Sequence, residues 1–151
     1  MALDDDIRIL SGVNLFEGFT REQLRLLAFG AESMRLSAGR ELFEEGSDAD
    51  SAYVVSRGGI VLYRERDGEQ AVVGYAGAGV MLSELALIAE TKRLTSARAE
   101  VDTDLIRLSR KLFRRILEEY PEIAVLLHER IAGELQAMVR RIEALAPRFA
   151  S

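Results

Sequence analysis

At 151 residues, 48% of them apolar and with a mean hydropathy of +0.02, the chain is long enough for one domain with a real core and ordinary in composition for a folded soluble protein. A net charge of −5 and a pI near 5.1 argue against a nucleic-acid-binding surface, because such surfaces are usually basic. The absence of cysteine excludes disulfides and thiolate metal sites; Met1-Ala2-Leu3-Asp4-Asp5-Asp6 lacks a signal core, and no apolar run approaches a membrane span, so a cytoplasmic protein is expected.

Residues 1–30 read as N-terminal helices. Ile7, Ile9 and Leu10 cluster, and Asp4-Asp5-Asp6 suit the positive end of a helix dipole better than a metal site. Thr20 with Gln23 forms a capping-box signature ahead of Leu24, Leu27 and Ala28, and Gly30 is the expected stop. Residues 31–108 read as β. Glycines punctuate short β-prone runs at Ala52–Val55, Ile60–Tyr63 and Ala71–Tyr75, and Asp67-Gly68 between two of them signals a type I′ hairpin. Such spacing predicts a sandwich or jelly-roll barrel. A short helix is expected near 84–89, and Val101–Leu108 reads as the strand pair that follows. Residues 110–146 return to helical periodicity, divided by Pro121 into Lys111–Glu119 and a long helix from about Glu122, which Pro147 ends. On that helix Ile131, Leu135, Met138, Ile142 and Leu145 recur at spacings of 4, 3, 4 and 3, a heptad seam that can cover the protein's own barrel or pair with a second copy. His128, the sole histidine, reads as a helix-surface or interface residue. With no internal repeat, no linker and no βαβ pattern, the expectation is a single α+β domain over 1–151, a β-roll flanked by N-terminal helices and a long C-terminal helix.

The stretch that carries chemistry is Leu82-Ser83-Glu84-Leu85-Ala86-Leu87-Ile88, followed by Lys92-Arg93-Leu94-Thr95-Ser96-Ala97-Arg98-Ala99. An acid opens an apolar turn, and an arginine follows nine residues later, before a strand-like segment. This resembles the phosphate-binding cassette of cyclic nucleotide-binding domains. The resemblance continues through Gly39–Asp50, Ala52–Gly59, Asp102–Leu105 and Phe113–Pro121, and through Asn14-Leu15-Phe16 with Glu22-Gln23-Leu24, so it covers nearly the whole chain.

The resemblance implies an eight-stranded β-roll, a small-molecule sensor like the sensor domains of the catabolite activator protein family and of cyclic nucleotide-regulated kinases and channels, and a cyclic nucleotide as ligand. A cyclic phosphate needs planar cationic donors and amides at a helix start, and a ribose hydroxyl needs an acceptor. Carried over by position, Arg93 pairs with the phosphate, Glu84 takes the ribose hydroxyl, and the amides of Leu85, Ala86 and Leu94 line the phosphate. Leu82, Ser83, Thr95, Ser96 and, for the base, Met138 complete the candidate ligand-binding residues. Three positions depart from the family pattern. Ser83 stands where glycine is usual. Leu94 replaces a small or hydroxyl residue, which favours cAMP over cGMP. Met138 and Val139 fall where relatives often have polar side chains. Read without the resemblance, Glu84 and Arg93 are a surface ion pair, and Thr95 and Ser96 are strand residues with local hydrogen bonds.

Two functions follow. The first is a stand-alone cyclic nucleotide-binding regulatory domain, binding cAMP or cGMP and needing no cofactor, that moves its C-terminal helices on binding, forms a homodimer through the last helix and signals to a downstream protein. The alternative is a degenerate member that binds no nucleotide and acts as a dimeric protein-interaction module. The chain stops at Ser151, leaving no room for a helix-turn-helix after the long helix, so DNA is not an expected partner, and neither is a membrane. Lacking a nucleophile–base pair, a metal cluster or a Walker loop, the sequence does not read as an enzyme.

Overall fold

The computed structural model describes residues 2–145. The chain opens with α1 (Ala2–Ser11), a 3-10 turn (Asn14–Phe16) and α2 (Arg21–Gly30). The Thr20 hydroxyl accepts the Gln23 amide at 3.1 Å while the Gln23 side chain accepts the Thr20 amide at 2.8 Å, so the expected capping box closes both ways. Helix α2 does end at Gly30, but not through a left-handed cap. A Cβ there would lie 2.3 Å from Leu112 Cδ1, so glycine allows close approach of the C-terminal helical layer.

Ten strands follow: β1 (Glu32–Leu36), β2 (Glu41–Phe43), β3 (Asp48–Ala49), β4 (Ser51–Arg57), β5 (Gly59–Arg66), β6 (Glu69–Gly77), β7 (Met81–Leu82), β8 (Thr91–Lys92), β9 (Ser96–Ala99) and β10 (Thr103–Ser109). They form two four-stranded sheets, β1-β10-β4-β7 and β2-β9-β5-β6, and a two-stranded β3-β8 pair. All pairings are antiparallel. Asp67 (φ 56°) and Gly68 (φ 80°) make the expected hairpin turn between β5 and β6. The segment expected as strand from Val101 begins only at Thr103. Val101 is exposed in the preceding turn, because β9 must reverse before β10 can pair with β4.

The β10–β4 sheet is buried on both faces. Ala52, Val54, Ile106 and Leu108 pack with Leu10, Phe16, Leu27 and Phe113 of the helical layer. Tyr53, Val55 and Leu105 face the opposite way, against Ile60, Ala76, Ala97 and Ala99 inside the roll. This double burial explains why Ala52–Val55 reads as a continuous apolar run rather than an alternation. Each large side chain so buried stabilises the fold by roughly 1.5–3 kcal/mol.

The chain leaves the roll through α3 (Arg110–Glu119), capped by Ser109, whose hydroxyl accepts the Leu112 amide at 3.1 Å. Helix α4 (Pro121–Leu145) starts one residue before the expected Glu122, with Pro121 in its first turn, where a missing N–H costs nothing. Ile123 and Leu127 are buried in the helical core, and Arg130 Nη1 donates to the Leu15 carbonyl at 2.9 Å, docking the start of α4 on the N-terminal layer. The side chains of Ile131, Leu135, Met138, Val139, Ile142 and Leu145, and all of Pro147, lie outside the described residues. No described helix is long and apolar enough to cross a membrane.

Candidate ligand-binding site

The cassette lies between β7 and β9. Its helix, expected over about 84–89, is a single 3-10 turn, Glu84–Leu87, closed by Ile88 N–H to Leu85 O at 3.2 Å. Ser83 precedes it in the left-handed region (φ 62°, ψ 42°) and makes no side-chain cap. It is the conformation that glycine adopts freely and a Cβ penalises. The Ala86 amide donates back to the Ser83 carbonyl at 3.0 Å, inside the turn.

A cavity of about 440 Å³ opens over this turn. Leu82, Ser83, Glu84, Leu85, Ala86, Leu94 and Thr95 line it, which brings seven of the candidate residues to one wall. Phe43, Leu62, Thr91 and Lys92 complete the lining and carry no signal in the sequence beyond their proximity to the cassette or their strand pattern. The volume suits a small molecule. Aromatic and aliphatic walls can pack against a flat ring, while Glu84, Lys92 and Thr95 offer the few polar groups that would orient it.

Arg93 is held deeper. Its backbone is fixed on both sides: its amide donates to Ser47 O at 2.8 Å, and its carbonyl accepts Gly46 N–H at 2.9 Å. Alongside, β3 pairs with β8, and Lys92 bonds Asp48. The side chain is only 4% exposed. Nη1 donates to the Ser51 carbonyl at 2.9 Å, and Nε has no hydrogen-bond partner. The guanidinium carbon stands 4.5 Å from the Phe43 ring centroid and 5.4 Å from that of Tyr53. Burial pushes the guanidinium below its ordinary pKa, with Tyr53 and Asp50 pulling the other way.

Ser96 sits apart from the cavity wall; it is buried in β9 and its hydroxyl accepts the Glu45 amide at 2.9 Å. Met138 lies outside the described residues. Among the described residues no group of three or more His, Cys, Asp or Glu is arranged to hold a metal.

One contact with no obvious sequence signal ties this site to the exit helices. Arg110, the first residue of α3, donates from Nε to the Ala86 carbonyl at 2.8 Å and from Nη2 to the Ala49 carbonyl.

Among the described residues, a ten-stranded antiparallel roll carries a 3-10 turn entered through a left-handed residue, beside a buried arginine and a cavity. The chain belongs to the cyclic nucleotide-binding domain family, which it matches over residues 33–120. It is similar in structure to a cyclic nucleotide-binding-like protein from Brucella abortus (59% identity, TM-score 0.72, covering 76% of this chain and 99% of that one). It is also similar to the regulatory domain of Toxoplasma gondii PKA, whose structure was solved with cAMP (28% identity, TM-score 0.70, covering 76% of this chain and 44% of that one). Among curated proteins it is 31% identical over 112 residues to lysophospholipase NTE1 of Chaetomium globosum, a match that takes in 74% of this chain and 7% of that protein. The chain therefore spans less than a tenth of the length of such relatives.

Proposed function

We propose that this domain is a sensor of a cyclic nucleotide, cAMP in preference to cGMP, and not an enzyme. The observation that carries the reading is Arg93: a buried guanidinium with an unpartnered Nε, against the Phe43 ring that lines the same cavity as Glu84. A buried unsatisfied cationic donor is costly, and an oxyanion is the group that would relieve it. Glu84 supplies an acceptor for the ribose hydroxyl, and the apolar walls supply packing for the base. Leu94 offers a guanine base no hydroxyl, which supports the preference for cAMP, as does the cAMP-bound structure of the Toxoplasma relative. A scaffold that had lost its ligand would have Leu94 closed over the site; instead Leu94 is 67% exposed at the cavity rim.

Binding acts on the C-terminal helices through Arg110. Because one guanidinium holds carbonyls of both the cassette turn and β3, a ligand that reshapes the turn shifts the balance between two positions of α3. The heptad spacing along α4 supports pairing with a second copy, which sedimentation of the purified chain tests. Calorimetric titration with cAMP and cGMP tests the reading itself. Arg93→Ala removes a charge-assisted bond worth roughly 1.5–3 kcal/mol, so cAMP affinity falls about tenfold to a hundredfold. Absence of binding by the unmodified protein at millimolar cAMP overturns the proposal.

A further inference from the structure

A buried arginine is ordinarily held by a carboxylate. Here the Asp50 carboxylate, whose charge acts on Arg93, is engaged elsewhere: it accepts from Arg107 Nη2 at 3.3 Å and from the Ser51 hydroxyl at 3.1 Å. None of the ion pairs between described residues includes Arg93. Its guanidinium instead lies against Phe43 of β2 and Tyr53 of β4, both within the distance at which a ring face attracts a cation. The two rings are themselves in contact, with centroids 6.0 Å apart and planes tilted by 32°, so they form one cage rather than two separate contacts. Phe43 also lines the cavity, so its ring touches both the cavity and the cation.

We propose that Phe43 and Tyr53 are the positioning residues for the anion-binding arginine, holding Arg93 dry and charged by ring faces rather than by a carboxylate, so that Nε is kept for an oxyanion of the ligand. This rests on the sensor reading above and adds to it the residues that prepare its arginine. A carboxylate in the same place would neutralise the guanidinium and compete with the ligand phosphate. A ring face stabilises the cation without occupying its N–H donors; Ser51 accepts from Nη1 through its carbonyl at 2.9 Å and from Nη2 through its hydroxyl at 3.5 Å, which leaves Nε. Tyr53 is buried in the core of the roll, so its ring is held by that packing.

The test follows the Arg93 Nε–H resonance by NMR during titration with cAMP and, separately, with inorganic phosphate. In the unmodified protein that resonance moves with the anion. Phe43→Leu and Tyr53→Leu keep apolar volume but remove the ring, and each weakens the midpoint by about threefold to thirtyfold, the span of a cation–π contact. Tyr53→Phe, which keeps the ring, restores the affinity lost in Tyr53→Leu. Should Tyr53→Leu fail to fold, Phe43→Leu, at a half-buried position, decides alone. In an Arg93→Gln background Phe43→Leu causes no further loss, because the ring acts through the arginine. An equal loss in both backgrounds, or an Nε–H resonance that neither anion moves, overturns the proposal. A response to phosphate without one to cAMP, still lost in Phe43→Leu, sustains the cage and overturns the cyclic nucleotide reading instead.

Discussion

The Nε of Arg110 donates to the carbonyl of Ala86 at 2.8 Å, joining the first residue of α3 to the cassette turn across 24 positions of sequence. Its other arm holds the Ala49 carbonyl, and its own amide donates to Asp50 O at 2.9 Å. The helix that leaves the roll is thus seated both on the cassette turn, whose Ala86 lines the cavity, and on the backbone at the end of β3. Arg110→Met keeps the alkyl stem and removes both charged bonds, at a cost of about 1.5–3 kcal/mol for a bond to a charged donor. The expected outcome is that cAMP still binds while hydrogen exchange in α3 no longer changes with ligand. Undiminished ligand-dependent protection of α3 in the variant would show that the signal takes another route.

Ser83 holds a left-handed backbone that costs a residue with a Cβ about 1–2 kcal/mol, against a loss of about 0.5–1 kcal/mol in chain entropy for glycine. Ser83→Gly therefore stabilises the domain by about 0.5–1 kcal/mol, and Tm rises by about 2–4 °C per kcal/mol in a chain of this size. Thermal unfolding followed by circular dichroism measures it. A lower Tm would mean that the Ser83 side chain contributes more than its backbone strain removes.

At Gly58, φ is +94°, and a Cβ would stand 2.6 Å from Asp102 O and 2.8 Å from Thr103 Cα. Neither obstacle is a flexible side-chain end. Gly58→Ala combines left-handed strain with a backbone clash, so the expected destabilisation is about 2–4 kcal/mol, read as a shifted midpoint in urea. Because Thr103 Oγ1 accepts the Gly59 amide at 3.1 Å in the same corner, the variant also exposes that amide to faster hydrogen exchange.

The carboxylate of Asp50 is held below its ordinary pKa of 3.8: burial works to raise it, and the Ser51 hydroxyl and the Arg107 charge outweigh that. A carboxyl depressed in the folded state adds stability that is fully present above the unfolded value and lost as pH falls from 3.8 through the folded value. Replacing Arg107 with leucine should bring the Asp50 titration, followed by carbonyl NMR, back toward 3.8 and flatten the acid limb of the stability curve in that window. An unchanged Asp50 titration would assign the depression to the Ser51 hydroxyl and the backbone amide of Asp50 instead.

Local signals in the sequence translated directly into structure wherever the physics was local. Thr20 and Gln23 cap α2 because their side chains reach their own backbone, and Asp67-Gly68 turns β5 into β6 because both residues tolerate positive φ. The cassette residues were legible through their resemblance to the family's motif, and the fold brings Glu84, Leu85, Ala86, Leu94 and Thr95 to the lining of one cavity. Burial of the β4 run on both faces and the role of Gly30 as a contact for Leu112 were not legible, since each depends on a neighbour brought in from elsewhere in the chain, whereas the left-handed backbone of Ser83 was signalled by its standing where the family has glycine. The arginine is the clearest case. Its identity and its place after the cassette are properties of the sequence alone. What surrounds it was decided only by the closing of the roll, which stacks β2 and β4 around a residue 42 positions beyond Ser51 and sets Phe43, Tyr53 and the carbonyl and hydroxyl of Ser51 against the guanidinium. Pairing between strands so far apart in sequence is set by the packing of both sheets together, and no local pattern encodes it.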